Sequence, residues 1–171
     1  FIACLFAAHL LMGYWLEYTP AGDNFMLYNG SQMLAADGNF DRYTDFYLYL
    51  SRYSNQWGFM LMLTGFYKLL FALGVTQTFF PLALTQAVLY LFGVRAILRI
   101  AERLSGAKGR LMTMLMLACC LPLYLAAAVL YTDTFSLPFI LMALDLALRV
   151  QDETDAKKQT ALAARCGAAV F

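Results

Sequence analysis

The run LMTMLMLACCLPLYLAAAVLYT at residues 111–132 contains no Asp, Glu, Lys or Arg over its 22 positions. A transmembrane helix needs about 20 consecutive, mostly apolar residues to cross the hydrocarbon core of a bilayer, so this run predicts a membrane span. Residues 1–16 and 69–94 lack charged residues in the same way. These three runs indicate an integral membrane protein rather than a soluble domain.

The composition of the 171-residue chain agrees with this interpretation. Hydrophobic residues make up 62% of the sequence and the mean hydropathy is +0.63, whereas ordinary soluble domains contain roughly 45–50% apolar residues. The formal net charge is only +1, and the basic residues form no stripe with aromatic residues between them. We therefore expect a lipid bilayer, and no nucleic acid, among the partners.

The alternation of apolar and charged segments predicts an all-α, polytopic membrane fold. The predicted spans are about 1–18, 78–100, 111–132, 135–150 and 160–171. Lys and Arg in short loops stay on the cytoplasmic side of a membrane, so the basic loops 101–110 and 149–165 are assigned to the inside. The turn that contains Asp133 then lies outside.

Residues 19–77 form a long segment between the first two predicted spans. Within it, 57–73 is apolar but short and contains Lys68, which predicts an interfacial helix that does not cross the bilayer. The rest of the segment is then an outer loop on the same side as Asp133. Residues 24–37 predict a helix that ends at Gly38.

The two ends of the sequence suggest a piece of a longer protein. A signal peptide is the alternative for residues 1–18, but the several later spans favour a first transmembrane helix. The chain begins with Phe1 and stops at Phe171, inside an apolar run that has only just begun. We therefore interpret 1–171 as the N-terminal part of a larger polytopic transmembrane domain.

Two aspartates are candidates for chemistry at the outer face. Asp23 follows the first predicted span in the sequence PAGDN, and Asp133 precedes the predicted helix 135–150. Asp is a preferred N-cap residue, so helix capping is the simpler interpretation of either residue alone. Two carboxylates at one membrane face are also suited to general-base catalysis.

The segment YLYLSRYSNQWG, residues 47–58, crowds aromatic side chains around polar ones. It has the composition of an interfacial aromatic belt with a snorkelling Arg52. The alternative is a binding lip, in which Asn55 and Gln56 contact sugar hydroxyls and the planar guanidinium of Arg52 contacts a lipid phosphate.

Other polar residues in apolar segments are expected to be structural. Asp145 has Arg149 four residues later, a spacing that suits an ion pair on one helix. The four cysteines show no metal-ligand spacing, and His9 is isolated in an apolar stretch. These residues predict no metal site.

Taken together, three motifs resemble the N-terminal part of a GT-C glycosyltransferase. They are Gly22-Asp23 after an apolar first helix, the turn Tyr53-Ser54-Asn55-Gln56-Trp57-Gly58, and Tyr131-Thr132-Asp133-Thr134 before a later helix. The chain is most similar to family 39, the bacterial relatives of protein O-mannosyltransferases and aminoarabinose transferases. Ser54 stands where many of those relatives have Pro.

The resemblance implies inverting transfer of a sugar from a polyprenyl-phosphate carrier to a protein, lipid or glycan acceptor at the outer face of the bacterial cytoplasmic membrane. Asp23 would be the general base, and Asp133 would match the second acidic position. The substrate-binding residues would be Arg52, Tyr53, Asn55, Gln56 and Tyr131. No metal or other cofactor is expected, and the lack of a second acidic residue beside Asp23 leaves metal dependence open.

Two other functions fit the same membrane architecture. A transporter would place ionisable residues deep in its spans and contain broken helices in pairs. Another polyprenyl-linked membrane transferase, such as a polymer ligase, would use a similar donor.

Overall fold

A computed structural model of the chain describes residues 1–15, 22–38, 44–125 and 132–170, and the regular elements in these ranges are all helical. The helices are α1 (Ile2–Trp15), α2 (Asp23–Asp37), α3 (Thr44–Arg52), α4 (Trp57–Ala72), α5 (Phe79–Cys119), α6 (Leu121–Leu125), α7 (Thr132–Asp152) and α8 (Ala156–Val170). A 3₁₀ turn at Ser54–Gln56 joins α3 to α4. The all-α prediction is confirmed for the described residues.

The larger hydrophobic core is built around α4. Met60, Leu63 and Tyr67 of this helix are at most 1% exposed, and α2 packs along them through Leu27. Part of the predicted outer loop is therefore folded around this core, to which Leu82 of α5 and Phe135 of α7 also contribute. Whether α4 lies along the membrane is still a prediction, although its 16 residues give a length of about 24 Å, less than the ~30 Å of a hydrocarbon core.

The predicted helix at 24–37 is confirmed, and glycines shape both its surface and its end. Gly38 has a φ of 66°, and its N–H bonds to the Leu34 carbonyl at 3.1 Å, which ends α2 in a left-handed cap. On the surface of α2, a Cβ added at Gly30 would overlap the ring of Phe46. Helix α3 thus sits directly on the backbone of α2.

Helix α5 is the one helix of the described residues with both the length and the hydropathy needed to cross a bilayer. Helix α1 is also apolar, but it has only 14 residues. The other predicted spans therefore stay predictions.

Between residues 101 and 125, the observed helix boundaries differ from the predicted ones. Residues 101–105 continue α5, and Gly106, with φ 66° and ψ −161°, breaks the helix before it resumes at 107–119. Glycine allows this backbone conformation because it has no Cβ. A second break at Cys120 separates α5 from α6, so the described part of the uncharged run is not a single helix. Pro122 lies in the first turn of α6, where a missing N–H costs no helical hydrogen bond.

The later helices begin before their predicted positions. Helix α7 starts at Thr132 rather than at 135, and α8 starts at Ala156 rather than at 160, which shortens the predicted loop 151–158. The reason at α8 is local, because the Asp155 carboxylate accepts a hydrogen bond from the N–H of Lys157 at 2.9 Å and so caps the helix.

Helices α5 and α7 pack closely along their length. At one end, a Cβ added at Gly93 would lie 3.1 Å from the Cα of Pro138, so the two backbones nearly touch. At the other end, Asp145 Oδ2 lies 3.4 Å from Arg149 Nε and 3.2 Å from Arg99 Nη1. The predicted pair of Asp145 with Arg149 is therefore confirmed, and Arg99 is an additional partner supplied by α5.

Candidate functional site

The polar turn after α3 is a compact structure held by the backbone. The Tyr53 N–H donates to the Tyr49 carbonyl, and the Gln56 N–H donates to the Tyr53 carbonyl, both at 2.9 Å. Helix α4 begins at the next residue, Trp57. The predicted binding residues Tyr53, Asn55 and Gln56 are thus set on a short link between two helices.

This turn is joined to the beginning of α7 by a hydrogen bond from Thr132 Oγ1 to Gln56 Oε1. The rings of Phe59 and Phe135 pack beneath it with centroids 5.2 Å apart. Because Asp133 directly follows Thr132, the structure brings Gln56 to the helical turn that carries the second predicted acidic residue.

An apolar groove of about 720 Å³ opens beside this contact, within the range of about 300–1,000 Å³ that is usual for small-molecule sites. Thr132 and Ser136 give it a polar end near Gln56. Its other lining residues come from α4, α7 and α8, and are Gly58, Phe59, Met62, Phe135, Phe139, Ile140, Ala143, Ala168 and Ala169. Residues 58–62 and 132–143 are far apart in the sequence, so no local pattern indicates this groove.

Arg52 lies on a different surface of the same region. It is exposed at the end of α3 and borders an open groove of about 370 Å³, together with Met26, Asp45, Tyr49 and Tyr53. The rings of Tyr49 and Tyr53 pack with centroids 5.0 Å apart. Arg52 makes no ion pair with the described residues.

Asp23 is the first residue of α2 rather than its N-cap, so the capping interpretation is wrong in this detail. Gly22 occupies the cap position with φ 58° and ψ −130°, a conformation that favours glycine. The Asp23 carboxylate is half-buried and forms no hydrogen bond or ion pair with the described residues. It still favours the helix electrostatically, since its negative charge lies at the positive end of the helix dipole. Met26, one turn later, borders the groove of Arg52.

Asp133 is the second residue of α7, so it is not an N-cap either. Its side chain is exposed, and its carbonyl accepts a hydrogen bond from Ser136 Oγ at 3.3 Å. The hydrogen bonds and ion pairs of the described residues do not connect Asp133 to Asp23. Asn55 and Tyr53 are exposed, and Tyr131 lies outside the described residues.

No group of three His, Cys, Asp or Glu side chains that could hold a metal ion occurs within the described ranges. Comparison of the chain with protein-family models, curated proteins and solved structures found no match. The resemblance to GT-C glycosyltransferases therefore rests on the short motifs around Asp23, Gln56 and Asp133.

Proposed function

We propose that this chain is part of a GT-C-type membrane glycosyltransferase that moves a sugar from a polyprenyl-phosphate carrier to an acceptor hydroxyl or a similar nucleophile. The observation that carries the proposal is the contact between Gln56 and Thr132. It sets a polar turn beside Asp133 at the end of an apolar groove. The carrier has the same two parts, a polar head joined to a long apolar chain.

The groove provides surfaces for the apolar part of the donor. Phe59, Phe139 and Ile140 line it from two helices, and burial of apolar surface contributes about 25 cal/mol for each Å² removed from contact with water. In a bilayer this gain is small, so the walls select a chain mainly through van der Waals packing. The groove is open, so a chain longer than its volume can continue into the lipid.

Polar groups near the groove suit the head of the donor. The Gln56 amide and the hydroxyls of Thr132 and Ser136 can exchange hydrogen bonds with sugar hydroxyls. Arg52 borders the neighbouring groove rather than this one, and it is the proposed ligand for the phosphate because its guanidinium can donate two parallel hydrogen bonds to phosphate oxygens.

The proposed reaction is a single displacement at the anomeric carbon of the sugar. Asp23 accepts the proton of the acceptor hydroxyl as that oxygen attacks the carbon. The bond from the carbon to the phosphate oxygen breaks, and polyprenyl phosphate leaves with the electron pair. Attack opposite the leaving group inverts the configuration at this carbon. Asp133 is proposed to orient the sugar or the acceptor from the first turn of α7.

The main alternative, a transporter, would use ionisable residues inside its spans to bind or translocate ions. Asp145, the acidic residue in the middle of α7, is 8% exposed and is paired with both Arg99 and Arg149. These partners favour a structural role for its charge, and so the deepest acidic residue of α7 gives no support to a transport function.

The proposal is tested by Asp23→Asn in the full-length protein. Transfer from a polyprenyl-phosphate sugar should fall by about two to four orders of magnitude, because an amide cannot accept the proton and a general base typically contributes this factor. Donor binding should persist. Asp37→Asn is the matched control at the other end of α2, and it should retain normal turnover. Near-normal turnover by Asp23→Asn would contradict the assignment of Asp23 as the base.

A further inference from the structure

A cavity of about 230 Å³ lies among α1, α5, α6 and α7 and is separate from the two grooves described above. Its walls are mostly apolar, and the polar residues among them are His9, Gln86, Tyr90 and Thr134. An engineered apolar cavity of about 150 Å³ is large enough to bind benzene. This cavity can therefore hold a molecule somewhat larger than benzene.

Three polar atoms of residues that line the cavity have no hydrogen-bond partner among the described residues. His9 is only 3% exposed, and its ring stacks on Tyr90 with centroids 4.4 Å apart and an interplanar angle of 9°. Both imidazole nitrogens of His9 and the Tyr90 hydroxyl are buried without a hydrogen bond to the described residues. Buried polar groups without partners are rare in folded proteins because each costs free energy. Their presence at a cavity indicates that a ligand completes the site.

We propose that this cavity binds a neutral, mostly apolar molecule that carries one hydroxyl group. A neutral imidazole offers one donor and one acceptor, and the tyrosine hydroxyl also offers both. A ligand hydroxyl can donate to one of these groups and accept from another, while the rest of the ligand fills the apolar space. A charged head would lose its hydration in this cavity without gaining an opposite charge, so ions are disfavoured. This inference does not depend on the proposed glycosyltransferase activity.

The hydroxyl could belong to a linear lipid alcohol or to a phenol, and competition between the two distinguishes them. The full-length protein would be placed in phosphatidylcholine nanodiscs and photolabelled with 1-octanol that carries a diazirine. We expect saturable labelling, with adducts in peptides of α1 and α5. Both 1-octanol and 4-ethylphenol should compete, and the one that acts at the lower concentration identifies the preferred source. The alkane n-octane should compete much less.

The key variant is Tyr90→Phe, which keeps the ring that stacks on His9 and removes only the hydroxyl. It should weaken binding by about threefold to tenfold, as expected for one lost hydrogen bond. His9→Phe should abolish saturable labelling at these sites. Tyr67→Phe is the matched control, because the Tyr67 hydroxyl is also buried and has no hydrogen-bond partner in the described ranges, but it lies in the core around α4.

Three results would overturn the proposal. They are labelling that does not saturate, equal competition by n-octane and 1-octanol, and equal affinities of wild type, Tyr90→Phe and Tyr67→Phe. Because Tyr90→Phe is a conservative change, it decides the question even if His9→Phe fails to fold.

Discussion

The hydrogen bond between Thr132 and Gln56 gives a quantitative test of the candidate site. Thr132→Val and Gln56→Met each remove one partner while keeping the side-chain size nearly constant. If the contact positions the polar turn for catalysis, either variant should lower kcat/KM for sugar transfer. A hydrogen bond of this kind contributes about 1 kcal/mol net, so we expect a fall of roughly fivefold.

The double variant shows whether the two residues act through each other. Once one partner of the hydrogen bond is gone, removal of the second should lower kcat/KM little further. The double variant Thr132→Val with Gln56→Met should therefore also be about fivefold slower than wild type, which corresponds to a coupling energy near 1 kcal/mol. Thr85→Val is the control, since the Thr85 hydroxyl bonds to the Pro81 carbonyl within α5. Combined with Gln56→Met, it should give independent effects. If the Thr132 and Gln56 variants multiply to roughly 25-fold, the contact does not position the turn and the reasoning is refuted.

Three further predictions concern the phosphate, the core and the topology. Arg52→Ala should slow sugar transfer more than it destabilises the fold, and Arg52→Lys should recover part of the lost rate. Equal transfer rates for wild type, Arg52→Ala and Arg52→Lys would favour a snorkelling arginine instead. Gly30→Ala should lower the free energy of unfolding by about 1–3 kcal/mol, because its Cβ would overlap the Phe46 ring. The control Gly65→Ala should be neutral or stabilising in the same thermal unfolding experiment, because its added Cβ would have no atom of the described residues within 4 Å. In a cysteine-free background, Ser54→Cys and Ser105→Cys should react with an impermeant reagent from opposite sides of the membrane, and reaction from the same side would show that the predicted threading is wrong.

Local sequence signals predicted several elements of this fold. The apolar runs indicated the helices, Gly38 marked the end of α2, and the four-residue spacing of Asp145 and Arg149 predicted their ion pair. In these cases, the interacting residues are close together along the chain. Helix propensity and side-chain spacing are therefore enough to identify them.

The sequence did not reveal features that depend on contacts between distant segments. The contact of Gln56 with Thr132 joins the polar turn to α7, and the pairing of Arg99 with Asp145 joins α5 to α7. The groove beside Thr132 is assembled from three helices, so neither its volume nor its lining follows from one segment. Asp23 and Asp133 lie inside the first turns of their helices rather than at the N-cap positions before them. Their sequence neighbours did not show at which residue each helix begins.

The break at Gly106 shows how a correct signal led to the wrong boundary. The cluster of basic residues around 101–110 predicted a loop on the inside of the membrane. In the structure, only Gly106 leaves the helical conformation, and Arg110 reaches across the break to Glu102 at 2.8 Å. The chain can therefore change direction with a single residue, and the flanking residues remain helical.

The close packing of the Phe46 ring against the backbone of Gly30 also has a consequence for sequence divergence. Because the ring occupies the space of the missing Cβ, the two positions share one fixed volume between α2 and α3. A relative with a larger residue at position 30 should therefore carry a smaller one at position 46, so that the two sites covary. Where both are large, α3 would have to shift away from α2, and the turn that it leads into would move with it.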